Sequence, residues 1–274
     1  MLIATISLIA VTAPVAEAQS NAQIPRYRHI DPAATLPAEL PQGIVRLLAD
    51  KDFAPFSFVA GDGSQAGLSV DLAREACAEL RLACEIVPLP FAELLPALER
   101  GDGDVIVSGA RLDSSIFARV DSTRPYFLST GQFYINKDTN LSDTTSRTLG
   151  GKRLGYVRGS LHGAFVEKHY SRSALTPFES AAAMFDSLKT RQLDAAFYDS
   201  LYAQFWLNGP AAEDCCMVLG HAFVDRETFS RGLTFLTRKD RKNLRESLDF
   251  ALDRLEEKGL TAKAFARYVP GPVW

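Results

Sequence analysis

The sequence predicts an α/β protein of two lobes with a hinged cleft between them. Three observations carry that expectation. Short apolar runs of strand length alternate with segments of helical period, the pattern of a mostly parallel sheet covered by helices. The alternation runs through two cycles, separated by the polar stretch Asn140–Thr148. A chain of 274 residues is also long enough to give each cycle a core of its own.

The first cycle opens at Ile44–Ala49, an apolar run of strand length. A turn around Gly61-Asp62-Gly63 follows. Leu68–Leu82 then places Leu72, Ala76 and Leu80 on one side of a helix. Cys84–Leu89 reads as a strand and Phe91–Arg100 as a helix, stopped by Gly101-Asp102-Gly103. Asp104–Ser108 is a further buried strand. In the second cycle Lys152–Val157 is a strand, and Gly159-Ser160 opens a helix to about Tyr170. Ser180–Thr190 is helical, Leu193–Tyr198 a buried strand, and Leu233–Leu236 another. From Lys239 the period is helical, with Leu244, Leu248, Leu252 and Leu255 on one face. Gly259 breaks that helix before a last short one over Ala262–Tyr268.

Residues 1–18 are read as a signal peptide. Met1–Val11 is apolar but short for a bilayer span, and Ala16-Glu17-Ala18 has the small-x-small form of a cleavage site. No Lys or Arg precedes the apolar run, an atypical feature for such a segment. Residues 19–43 hold Pro25, Pro32, Pro37 and Pro41 with little apolar period, and read as an extended leader. A net charge of −3 argues against nucleic acid or an anionic membrane as a partner. The histidines His162, His169 and His221 are scattered, so no metal or other cofactor is expected. No G-x-S-x-G, Walker A or H-E-x-x-H pattern marks a hydrolase or phosphate-loop enzyme. Export would bring the four cysteines into an oxidising compartment, where a Cys77–Cys84 bridge is reasonable. The adjacent Cys215 and Cys216 are either bridged or free.

Several motifs, taken in order and spacing, resemble one family. Phe53-Ala54-Pro55-Phe56-Ser57-Phe58 and Gly67-Leu68-Ser69-Val70-Asp71-Leu72-Ala73 are similar to its opening strand, turn and helix. Phe91–Leu98 with Gly101, Asp104 and Val105–Gly109 resembles its second unit, and Pro125-Tyr126 the end of its first crossing. Gly151-Lys152, Gly155, Gly159-Ser160 and Leu193–Asp199 resemble its second lobe. These are motifs of the amino-acid-type periplasmic solute-binding proteins of ABC importers (family 3), with the type II periplasmic-binding-protein fold. The resemblance spans Ile44–Tyr268 and implies lobe 1 over 44–135 and 223–274, with lobe 2 over 136–222. It implies a periplasmic monomer without chemistry of its own, whose partners are a small ligand (an amino acid or related amine or carboxylate) and an ABC permease. Cys77 and Cys84 sit where members binding lysine, arginine or histidine carry a disulfide.

The resemblance also assigns site residues, and elementary chemistry says what each could do. Phe53 and Phe91 match rings that sandwich the ligand side chain, though either could be plain core. Asp199 ends a buried apolar strand, where a carboxylate requires a partner. It matches the acceptor for the ligand ammonium and equally suits a helix N-cap, and both roles can share one location. Ser160 precedes a helix and either holds an anionic group or caps that helix. Asp50 matches an acid used by some members for basic side chains, or is a loop aspartate.

One departure stands out. Members place a hydroxyl near the strand end, here Ser108, and eight residues on an arginine that forks onto the ligand carboxylate. Ile116 occupies that second position here, while Val120, Pro125 and Tyr126 keep their spacing. Arg111 is preferred over Arg119 as the replacement, with an exposed salt-bridging arginine as the alternative. The loss leaves two rivals to an importer component: an exported enzyme resembling cyclohexadienyl dehydratases, with Asp199, Glu93 or Asp113 as the acid, and a sensory or accessory binding protein.

Overall fold

A computed structural model describes residues 28, 30, 34–108, 118–225, 227–229 and 232–269. The expected signal peptide (1–18), most of the leader, and Arg111, Asp113 and Ile116 lie outside the described residues. The first unit comprises β1 (Ile44–Asp50), β2 (Asp52–Phe53), β3 (Ser57–Val59), β4 (Gln65–Ala66), α1 (Leu68–Glu79), β5 (Ala83–Leu89), α2 (Phe91–Arg100), β6 (Val105–Ile106) and β7 (Val120–Ser122). The second comprises β8 (Gly131–Asn136), β9 (Arg153–Val157), α3 (Leu161–His169), β10 (Ala174–Phe178), α4 (Ala181–Lys189), β11 (Ala195–Asp199), α5 (Ser200–Asn208) and β12 (Cys216–Phe223). The chain then returns as β13 (Leu236–Arg238), α6 (Lys242–Glu257) and α7 (Leu260–Tyr268).

Successive side chains of β1 point to opposite faces, and both faces are buried. Leu47 packs in the apolar cluster formed with α1, α6 and α7, while Leu48 packs with Leu94 and Leu98 of α2. A strand apolar on both sides belongs inside a helix-covered sheet. The sheet runs β5-β1-β6-β13-β7, parallel through its first three strands, with β13 antiparallel to both neighbours. The second sheet runs β10-β9-β11-β8-β12 and is likewise part parallel, part antiparallel. Phe133 and Phe197 fill one of its faces, and Phe185, Met184 and Trp206 the other. The fold is therefore the two-lobed α/β architecture the alternation predicts.

Two details differ from the sequence reading. Strand β8 pairs with β11 and β12, so the proposed lobe boundary at 135 falls inside a strand of the second sheet. Every residue of β8 is buried, which leaves no alternation to mark where it begins or which sheet it joins. The leader also has an anchor. Arg28 is buried, and its guanidinium donates to Asp253 at 2.8 Å, to Asp249 at 3.0 Å and to the Arg124 carbonyl at 2.8 Å. Cys77 is disulfide-bonded to Cys84, tying α1 to β5, and Cys215 is bonded to Cys216.

The lobes are joined by two strand-like crossings that pair with each other. Leu233 N–H donates to the Phe127 carbonyl at 2.8 Å, and Tyr126 N–H to the Leu233 carbonyl at 2.9 Å. Thr123 N–H donates to the Phe235 carbonyl at 2.9 Å. Gly232 permits this close approach. Its φ is +88°, and a Cβ there would lie 2.6 Å from Pro125 Cβ, 2.7 Å from Leu128 Cδ2 and 2.9 Å from the Phe127 carbonyl oxygen.

Two outcomes follow from these contacts. Arg28→Ala leaves the buried Asp249–Asp253 pair short of a cation and should lower stability by about 3 kcal/mol, read as a shift of the urea midpoint; a surface arginine would give less than about 0.5 kcal/mol. Gly232→Ala adds left-handed backbone strain to overpacking and should cost about 3 kcal/mol in thermal unfolding. An unchanged midpoint would show that the crossings move apart without penalty.

Candidate ligand-binding site

The crossings form the floor of a cavity of about 600 Å³, lined from both lobes. That is the size range of a small-molecule site, and its place between lobes is where such sites tend to lie. Phe53 and Phe56 enter from the first lobe, on the turn between β2 and β3, with rings stacked at 5.2 Å. Phe56 continues that ring contact to Phe127 at 5.1 Å, so this wall is braced by the core below it. Leu233 and Thr234 line the floor. The Thr234 hydroxyl is buried and has no hydrogen-bond partner among the described residues.

The second lobe contributes the end of β11 and the first turns of α5. Tyr198 and Asp199 end the strand, and Asp199 caps the helix, its Oδ1 accepting from the Tyr202 N–H at 2.8 Å. Its Oδ2 accepts a short hydrogen bond from the Ser129 hydroxyl on the first crossing. His162 Nε2 lies 3.9 Å from Oδ2, with the imidazole stacked on Phe229 at 4.5 Å. The strand-to-helix junction thus fixes one carboxylate at the cavity wall from two directions. Its charge is felt nearby: burial pushes the Tyr134 phenol well above its ordinary range, and Asp199 adds to the shift.

Along α5 the spacing of Tyr202, Phe205 and Trp206 puts three aromatic rings into the cavity lining. Tyr202 and Trp206 are held by stacking on Phe185, at 6.1 and 4.7 Å, and Tyr198 meets Tyr202 edge-on at 5.4 Å. Phe185 is fully buried, so this wall too rests on a core ring.

The cavity brings together Phe53 and Asp199 of the residues the sequence singled out. Phe91 is 60% exposed at the start of α2 and does not line it. The Ser160 hydroxyl is fully engaged in its own turn, accepting from Gly163 N–H and donating to the Val157 carbonyl, each at 2.8 Å. That is the helix-cap alternative. Ser108 is buried, its hydroxyl without a hydrogen-bond partner among the described residues, and it precedes the undescribed 109–117. Asp50 is buried and accepts from the Asp52 N–H at 3.1 Å, outside the cavity lining. Arg111 lies outside the described residues.

Sequence reasoning missed α5 and its rings altogether. A signal was present: Ser200–Asn208 carries an aromatic pattern of helical spacing directly after Asp199, a residue already read as a possible N-cap.

Comparison with known proteins agrees with this fold. The histidine-binding periplasmic protein of Salmonella typhimurium is 26% identical over 234 residues, covering 84% of this chain and 89% of that protein. The L-arginine-binding protein of Pseudomonas aeruginosa is 27% identical over 222 residues, covering 78% and 83%. The L-cystine solute receptor of Neisseria gonorrhoeae, solved unliganded and open, superimposes with a TM-score of 0.72 at 18% identity, over 82% of this chain and 92% of that one. Residues 45–271 match the profile of the bacterial extracellular solute-binding proteins, family 3, and the chain belongs to that family.

Proposed function

We propose that this chain is the capture component of an ABC importer, binding a small amine-bearing ligand between its lobes and presenting the closed form to a membrane permease. The ligand class is an amino acid or a related amine or carboxylate. The observation that carries the reading is Asp199, a carboxylate held at the wall of a cleft otherwise made largely of rings and apolar side chains. In such surroundings a carboxylate favours a cationic partner strongly, because water competes poorly for it. Phe53 supplies the facing ring. Ser108 and Arg111 are assigned, from sequence position, to the ligand's carboxylate where it has one.

A relative named as a histidine-binding periplasmic protein supports export, and with one named for L-arginine binding it supports the amine class. They also support a binding role rather than catalysis. On this reading residues 1–18 are a cleaved signal peptide, the mature protein is a periplasmic monomer, and closure is driven by contacts that exist only when both lobes meet the ligand.

Asp199→Asn tests the charge without removing the cap, since asparagine caps helices as well as aspartate does. A thermal-shift screen over amino acids, amines and small carboxylates first selects the tightest ligand. Calorimetry should then show the variant binding it about tenfold or more weakly, the difference between a charge-assisted and a neutral hydrogen bond. Equal affinity would remove Asp199 from the site and the amine reading with it.

A further inference from the structure

We infer that the ligand carries a large apolar or aromatic body as well as its ammonium group, and that Tyr202, Phe205 and Trp206 of α5 form the wall for that body opposite Phe53. This rests on the amine reading above and narrows it away from the basic amino acids named for several relatives.

Anionic groups are scarce among the described residues of the cavity wall. Among the described lining residues Asp199 is the sole carboxylate, and both of its oxygens already accept protein hydrogen bonds, from Tyr202 N–H and from Ser129. An ammonium group fits against it. An arginine or lysine ligand would bring a second cation into the same apolar cleft, and a buried cation without its own partner is strongly disfavoured. Asp50 is absent from the lining, with one oxygen engaged by the Asp52 N–H.

Apolar wall, in contrast, is plentiful and prearranged. Tyr202 is 41% and Phe205 40% exposed, and both line the cavity, although both are large and apolar-bodied. Tyr202 and Trp206 are nonetheless held in place by stacking on the buried Phe185. Across the cavity, Phe53 is braced by Phe56 and Phe127. Two braced aromatic walls facing one cavity suit a flat apolar group between them. Phe53, Tyr202 and Trp206 lose little side-chain freedom when it arrives, since ring contacts already hold them.

The full-length protein is titrated calorimetrically with 2-phenylethylamine, L-phenylalanine, n-butylamine, L-arginine and L-lysine. At least one aromatic probe should bind ten times more tightly than L-arginine and L-lysine. Phe205→Ala and Tyr202→Ala, both at partly exposed positions, should each weaken that probe about tenfold while changing n-butylamine by less than twofold. Tighter binding of L-arginine or L-lysine than of either aromatic probe overturns the inference but leaves amine capture standing. An equal loss for every probe in both variants also overturns it, because the rings would then serve lobe closure and not the ligand body. If no probe binds and Asp199→Asn matches the parent protein across the wider screen, the amine reading itself falls, and this inference falls with it.

Discussion

The pairing of the two crossings is the constraint on which the rest of the molecule depends. Each lobe could be assembled around its own sheet without the other, but the cleft exists only because Phe127 and Leu233 meet. That contact brings the first-lobe rings, the Ser129 hydroxyl and the start of α5 around one volume. It requires a residue without a Cβ at 232, where three neighbouring atoms would fall within contact distance of one. The same segment is fixed from outside. Arg28 and Arg124 share the buried Asp249 and Asp253 of α6, and Arg28 also reaches the Arg124 and Pro125 carbonyls at the base of the first crossing. The leader therefore bears on the crossing as well as on the core.

Asp199 illustrates how one residue can satisfy two demands. As a helix cap it fills the need of the first free N–H groups of α5, and that need keeps its side chain in place without a ligand. The Ser129 hydrogen bond ties the same carboxylate to the crossing. A carboxylate restrained in this way keeps its geometry before the ligand arrives, so little conformational freedom remains to be lost on binding. On the proposed reading, the cap and the ligand anchor are one arrangement.

Much of the fold was legible because its elements announce themselves by period. Helix α2 is observed over Phe91–Arg100, the very span predicted, since its apolar face and Gly101 stop are local signals. Helix α6 follows the leucines at 244, 248, 252 and 255. Strand β8 gave no such signal, because a strand buried on both faces has no alternation and its partners are distant in sequence. The buried role of Arg28 was equally hidden: its acidic partners lie more than two hundred residues away, and nothing local separates a structural arginine from a solvated one. At the site, motif position found Phe53 and Asp199 on the cavity wall. It did not find the rings of α5: their helical spacing was legible, but their place on the cavity wall comes from a lobe-to-lobe juxtaposition.

Identity of 26–27% to proteins named for histidine and L-arginine binding sets the fold far more firmly than it sets the ligand. Cores tolerate many apolar substitutions that keep volume and pattern, so two sheets and two crossings survive wide divergence. Specificity has no such tolerance, because it is a difference between two binding free energies, set by the few groups in the cleft. A second acid would admit a second cation, whereas a ring in that place excludes it by leaving its charge unpaired. In this cleft the described walls offer one anchored carboxylate and two opposed sets of braced rings. On the proposed reading, the balance of those groups, more than the ancestry of the fold, sets which solute the cleft accepts.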